Sequence, residues 1–265
     1  MDEYLRYKKQ NFARRTYETD KQRLGWVYEF VGNVPITKIS TDTIVDYVDY
    51  RLENVKRSTV RINLICWKAF MNYCLKRKYI SENLFSLYPI ERVTGRVVYL
   101  SLDEVRLLQE YEDPARPWLN KLINLALLTG FRRGELATLA WKNITPHTII
   151  VMGKTGQREF PNNNRIQSLL DSIPRVSQWV FPVKRYPEKH LDPDTITLAV
   201  KDAFRKLGFP DEYSLHTLRH TFTSHLALQG VPIQQISLLL GHKDLETTLI
   251  YFNLMTKDCK IDLPY

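Results

Sequence analysis

The sequence predicts a mainly α protein with a small β-sheet: an N-terminal helical bundle followed by a mixed α/β domain. Three observations carry that expectation. Apolar residues recur at helical spacing through the first part of the chain. The texture then breaks over Tyr88–Leu100, which has no helical period and reads as an extended linker. Beyond it, the β-branched run Thr148–Met152 lies among helical segments and is followed by a glycine turn and a second extended run. These features divide the chain into a bundle over 1–88, a linker over 89–100 and a second domain over 101–265. A chain of 265 residues can fill two cores.

In the bundle, Tyr17, Leu24, Val27, Tyr28 and Val31 mark a helix from Thr16 to about Phe30, ended by the turn around Pro35. Thr41 or Asp42 caps a second helix through Leu52. A third, from Ser58 to about Lys78, carries the stripe Val60, Leu64, Trp67, Phe70, Met71, Cys74 and Leu75 between basic margins. A short fourth helix starts at Ser81. In the second domain, Ser101-Leu-Asp-Glu104 is a capping-box pattern opening a helix. The next helix, Trp118–Leu128, stops at Thr129-Gly130, and another begins near Arg133 and ends before Trp141. Thr148–Met152 and Gln157–Phe160 form a hairpin around Gly153-Lys154-Thr155-Gly156. Helices resume near Asp194, near Leu215 and at Pro232, with proline as the first helical residue. Asp244 caps a last helix through Phe252.

Composition narrows the classes of function. The charged N-terminus has no apolar core of a secretory signal, and no stretch of 18 apolar residues exists, so no membrane association is expected. Three scattered cysteines, Cys66, Cys74 and Cys259, form no CxxC, which argues against a disulfide framework and a zinc site. The expected setting is reducing and cytoplasmic. Net charge is +9. Residues 1–95 hold 17 Lys/Arg against 11 Asp/Glu, and residues 96–265 hold 21 against 18, so both parts are basic. A clamp with positive inner faces around a polyanion has this balance, and so does an ordinary solvated basic surface.

Four segments carry chemistry. Leu215-His216-Thr217-Leu218-Arg219-His220 places His216 beside Arg219 and His220 on one helix face. The two histidines at i, i+4 lack the glutamate of HExxH, and Arg219 is a poor neighbour for a cation, so phosphate is a better ligand than metal, although a helix with one surface arginine and two satisfied histidines fits equally well. In Gly130-Phe131-Arg132-Arg133-Gly134-Glu135, a helix ends and another opens at once. Arginine and free N–H groups at a helix start suit a phosphate, although surface arginines with Glu135 on the helix dipole fit equally well. Lys154, at the hairpin tip, reaches into a groove or simply keeps the turn soluble. In Leu240-Gly241-His242, followed nine residues later by Tyr251, a histidine turn precedes one of 15 tyrosines, most of which pack or face solvent.

Together and in this order, these segments resemble the tyrosine recombinase family of phage integrases and Xer-type recombinases. Gly130–Leu136 resembles its first arginine box, Val151–Lys154 its lysine turn, His216-x-x-Arg219-His220 its second box, and Leu240-Gly-His242 with Tyr251 its last. The likeness covers about 97–255, and the basic helical first part resembles the core-binding domain in size and position. The resemblance implies Arg132, Lys154, His216, Arg219, His242 and Tyr251 as catalytic residues, with Glu135 and His220 in support. It implies Tyr251 attack on duplex DNA to give a 3′-phosphotyrosine and a free 5′-hydroxyl. Arg132 and Arg219 would grip the phosphate, Lys154 would protonate the leaving oxygen and His242 would bond a phosphate oxygen. The working unit implied is a homotetramer on two double-stranded DNA sites. Bond energy kept in the phosphotyrosine removes the need for ATP, and the cations stand where a metal would, so no nucleotide cofactor and no metal are expected. Only 14 residues follow Tyr251, and Phe252, Leu254, Met255, Ile261 and Leu263 among them suit a partner groove or their own subunit. Two rivals share the pattern: type IB topoisomerase-like relaxation, and a non-catalytic DNA-binding protein on a recombinase scaffold.

Overall fold

The computed structural model describes residues 1–88, 90, 97–153, 156–242 and 245–251, with only the backbone of Glu246 and Thr247. Met1–Gly95 and Arg96–Tyr265 form two compact units.

The first unit is built from α1 (Asp2–Asn11), α2 (Arg14–Val31), α3 (Thr41–Leu52) and α4 (Arg57–Lys76). On α4, Val60, Leu64, Trp67, Met71 and Cys74 recur at intervals of three and four and are all buried, so one face of a 20-residue helix supplies most of the core. Trp67 lies edge-on between Tyr47, with centroids 5.4 Å apart, and Phe85, at 5.7 Å. Three boundaries differ from the sequence reading. The cap of α3 is Ser40, whose hydroxyl accepts from the Thr43 N–H while its own N–H donates to Thr43 Oγ1. The segment after Ser81 makes a single 3-10 turn, Leu84–Ser86, opened by Asn83. The first helix, α1, has few apolar residues to reveal it. It forms because Tyr4 buries against Leu24 and Cys66, and because Glu3 accepts from the Tyr73 and Tyr79 hydroxyls and from Arg77.

The second unit centres on α6 (Trp118–Thr129), apolar on nearly every face and therefore a core helix. Around it stand α5 (Leu102–Glu110), α8 (Asn164–Asp171), α9 (Pro193–Lys206) and α10 (Leu215–Leu228). The Ser101–Glu104 capping box is present. Short α7 (Arg133–Ala137) follows α6, α11 (Ile233–Leu240) follows α10, and α12 (Glu246–Leu249) closes the described chain. Pro232 has an extended ψ of 136° and caps α11 instead of entering it. Among the described residues, the sheet content is two antiparallel hairpins, β1 (Thr148–Gly153) with β2 (Gly156–Pro161), and β3 (Pro182–Val183) with β4 (Tyr186–His190). The second hairpin and α8 are absent from the sequence reading. Of the linker, residues 97–100 form neither helix nor strand, and Leu100 is fully buried, its N–H donating to Thr221 Oγ1 at 3.0 Å. Among the described residues, no helix is long and apolar enough to cross a membrane.

Candidate active site

Chain direction reverses sharply at Gly130 and Gly241, and both turns serve the same pair of arginines. Gly130 has φ 61°, and a Cβ there would sit 2.6 Å from the Phe222 ring, so only glycine lets the end of α6 approach α10 this closely. Its carbonyl accepts from Arg219 Nη1 at 2.6 Å. Arg219 Nη2 donates to the Leu240 carbonyl at 2.8 Å, so the C-terminal ends of two helices hold this side chain. Arg132, two residues after Gly130, reaches the Gly241 carbonyl with Nη2 at 3.4 Å. Arg219 is 8% exposed. Burial and the Arg132 charge lower its pKa to about 9, which leaves it cationic at neutral pH.

His242 follows Gly241 and lies 3.0 Å from Arg219 Nη2 through its Nε2. A guanidinium only donates, so Nε2 accepts, and the ring proton sits on Nδ1, which donates to Thr248 Oγ1 at 2.6 Å. The ring is therefore neutral. Burial, then the charges of Arg219, Arg132 and Arg158, depress its pKa to about 4.

Glu135, 2% exposed, balances this cluster. Its Oε2 accepts from the Arg132 N–H at 2.8 Å and from Arg158 Nη2 at 3.1 Å. Its Oε1 accepts from Arg132 Nη1 and Arg158 Nη1, both at 3.0 Å. A Cβ on Gly153 would stand 2.9 Å from Oε1, so the carboxylate also touches the strand end next to Lys154. Lys154 and Thr155, between the paired Gly153 and Gly156, lie outside the described residues.

Tyr251 is 3% exposed and packs with Ala227, Ile233, Ile236 and Leu240. Burial raises its pKa to about 12, against the opposing influence of the Thr223 hydroxyl and the Arg219 charge, so the phenol is neutral and donates. The acceptor is His220 Nδ1, on a ring whose pKa is lowered by burial and by the charges of His216 and Arg219. His216 stands one turn earlier on α10, its ring 6.4 Å from that of His220. Burial and the charges of Arg219, Arg133 and Arg132 lower its pKa.

Thus Arg132, Glu135, Arg219 and His242 form one bonded cluster, while His220, on the same helix as Arg219, bonds Tyr251, which follows α12. Two residues escaped the sequence reading. Thr248 fixes the His242 tautomer, and no sequence signal marks it. Arg158 does have a signal: it alternates with buried Phe160 on β2, so it lies on the inward face, where a charge demands a partner. The tail residues Phe252, Leu254, Met255, Ile261 and Leu263, and the cap residue Asp244, lie outside the described residues. Among the described residues, no three His, Cys, Asp or Glu side chains gather as a metal would require.

The model of the phage integrase family matches residues 99–257, more than half of the chain. The chain belongs to the phage integrase family. It is a tyrosine recombinase, an enzyme of site-specific recombination that cuts and rejoins DNA. Tyrosine recombinase XerD of Shewanella oneidensis is 30% identical to this recombinase over 224 residues, covering 77% of this chain and 74% of that protein. The fold is that of a lambda integrase (75–356) dimer bound to a COC′ core site, with TM-score 0.83 at 15% identity over 100% of this chain and 98% of that one. A lambda integrase tetramer bound to a Holliday junction has TM-score 0.80 at 18% identity, covering 98% of this recombinase and 78% of that chain.

Proposed function

We propose that this recombinase breaks a phosphodiester of duplex DNA by attack of the Tyr251 hydroxyl, leaving a 3′-phosphotyrosine and a free 5′-hydroxyl. The observation that carries the reading is the convergence of Arg132, Arg219 and His242, from three separate segments, on one patch beside the helix that holds Tyr251 through His220. Phosphoryl transfer needs donors fixed where negative charge grows on the non-bridging oxygens. Arg132 and Arg219 supply that charge, and both side chains are oriented by backbone carbonyls before any phosphate arrives. Neutral His242 donates to a phosphate oxygen, either with the Nδ1–H now bonded to Thr248 or with an Nε2–H once its tautomer changes. Lys154 protonates the departing 5′ oxygen, a role that rests on the family resemblance of its turn. Neutral His220 receives the phenol hydrogen bond and, with His216 behind it, gives the proton a path away from the nucleophile as the P–O bond forms.

Residues 1–88 act as a DNA-binding domain and 101–265 as the catalytic domain, joined through 89–100. Both units are basic, so affinity comes mostly from phosphate contacts and falls with salt. The active assembly is a homotetramer on two DNA sites, in a cytoplasmic setting, with neither nucleotide nor metal taking part. The lambda integrase tetramer of the same fold supports that stoichiometry.

The test is covalent capture. Wild-type protein is incubated with a pool of nicked duplexes of random sequence, and protein–DNA adducts surviving detergent are recovered. Wild type should yield adducts and a defined cutting sequence, while Tyr251→Phe should yield none. Adducts with Tyr251→Phe would place the nucleophile elsewhere.

A further inference from the structure

Arg158 makes three side-chain hydrogen bonds within the second unit, none of them to Arg132 or Arg219. We propose that Arg158 is a positioning residue of the recombination reaction, setting how much of the Glu135 charge is left for Arg132 and seating the turn that carries His242. The inference rests on the reading above, in which Arg132 and His242 bind the scissile phosphate.

The geometry points to this in three ways. First, Arg158 meets both Glu135 oxygens as a two-toothed fork, at 3.0 and 3.1 Å, while Arg132 Nη1 bonds only Oε1. One carboxylate is thereby shared between two guanidiniums. Second, Arg158 Nε donates to the Leu239 carbonyl at 3.0 Å, in the last turn of α11. The side chain runs so close beneath Gly241 that a Cβ there would lie 2.6 Å from Arg158 Cδ. The glycine before His242 is thus required by Arg158 as well as by its φ of 61°. Third, Arg158 is 13% exposed, lies over the Phe131 ring at 5.3 Å, and has Nε and both terminal nitrogens engaged within the protein. Arg132 is 30% exposed and can turn to a ligand.

Charge balance gives the arrangement its consequence. Arg132, Glu135 and Arg158 together carry +1, and Arg219 raises the cluster to +2. A phosphodiester carries one negative charge, and its five-coordinate transition state carries two. Without Arg158, Glu135 and Arg132 cancel as a closed ion pair, and the cluster matches the ground state instead of the transition state.

The experiment uses the full chain and the duplex that the wild type selects, nicked so that cutting is trapped. DNA affinity and the rate constant of adduct formation at saturating DNA are measured separately. Arg158→Gln should slow that rate about ten- to a hundredfold, the range expected when a hydrogen-bonded charge is lost, with affinity little changed. Adding Glu135→Gln to Arg158→Gln restores the +1 trio and should recover part of the rate. A merely structural role predicts the opposite, since the second substitution removes another buried bond. Arg158→Lys keeps the charge without the fork and should fall between wild type and Arg158→Gln. The proposal is overturned if Arg158→Gln cuts at the wild-type rate, or if the double variant is no faster than Arg158→Gln. Should Arg158→Gln fail to fold, Arg158→Lys carries the test: a wild-type rate there also overturns it. Tyr251→Phe run alongside separates the two readings, because adducts from that variant strike the nucleophile, whereas normal cutting by Arg158→Gln strikes only the positioning role.

Discussion

The two units fold by different rules. The helical unit sorts its residues by polarity: Trp67, Tyr47, Met71 and Phe85 fill the inside, and among its described residues the buried polar ones are few, Lys8, Asn63 and Asn83. The recombinase unit buries Glu135, Arg219, Asn120, Asn162, Thr129, Thr217, Thr221, Thr223, Ser224, Ser237 and Thr248 alongside a larger apolar core. Buried charges cost more than buried apolar groups contribute unless every one is paired. A fold that accepts this cost holds donors at fixed places, and fixed donors are what phosphoryl transfer uses. On the proposed reading, the helical unit has no such need, because its charges meet DNA phosphates at the surface.

The comparison is broken most directly at Glu135. Glu135→Ala leaves Arg132 and Arg158 facing each other without a counter-charge, and should cost about 3–5 kcal/mol in denaturant unfolding. A loss below about 1 kcal/mol would show that the buried charges are not structural. Next comes Met71→Ala in the helical unit, where only packing is lost. It should cost about 2–5 kcal/mol by the same measurement, leaving adduct formation on the selected duplex intact whenever the protein is folded and DNA saturating. A cutting defect that survives saturation would tie the helical core to the chemistry.

The smallest effect is on pH dependence. His242, His216 and His220 all have pKa values lowered by folding, so the unfolded chain binds more protons than the native one once pH drops below about 6.5. The stability they contribute is present above that value and is lost as pH falls toward the folded value, about 4 for His242. The melting temperature of the second unit should therefore decline between pH 6.5 and 5, and His242→Asn should flatten the decline. These three rings lie in the second unit, so protection of core amides on α4 should hold over the same window. An equal loss in both units would remove the contrast.

Much of this was legible in one dimension. The mainly helical class with a small sheet follows from the α4 stripe and the β-branched run at Thr148, because those periods report which face meets a core. Boundaries were less legible. Ser40 caps α3 because its hydroxyl reaches Thr43, a choice among neighbouring cap-forming residues that periodicity cannot make. Helix α1 and the β3–β4 hairpin depend on distant partners, Leu24 and Cys66 for one and the Ala140–Trp179 bridge beside the other.

By itself, the sequence determined the class of fold, the family, and the residue types able to hold a phosphate: two arginine boxes, a histidine turn and a tyrosine in fixed order. Tertiary structure alone decided how they bear on one another. It set the neutral tautomer of His242 between Arg219 and Thr248, the sharing of Glu135 between Arg132 and Arg158, and the burial of Tyr251 against His220. The physical reason is range. Periodicity and capping are written within a few residues, whereas a guanidinium at position 219 gains its carbonyl partners from Gly130 and Leu240 only when the chain has closed loops of 89 and 21 residues.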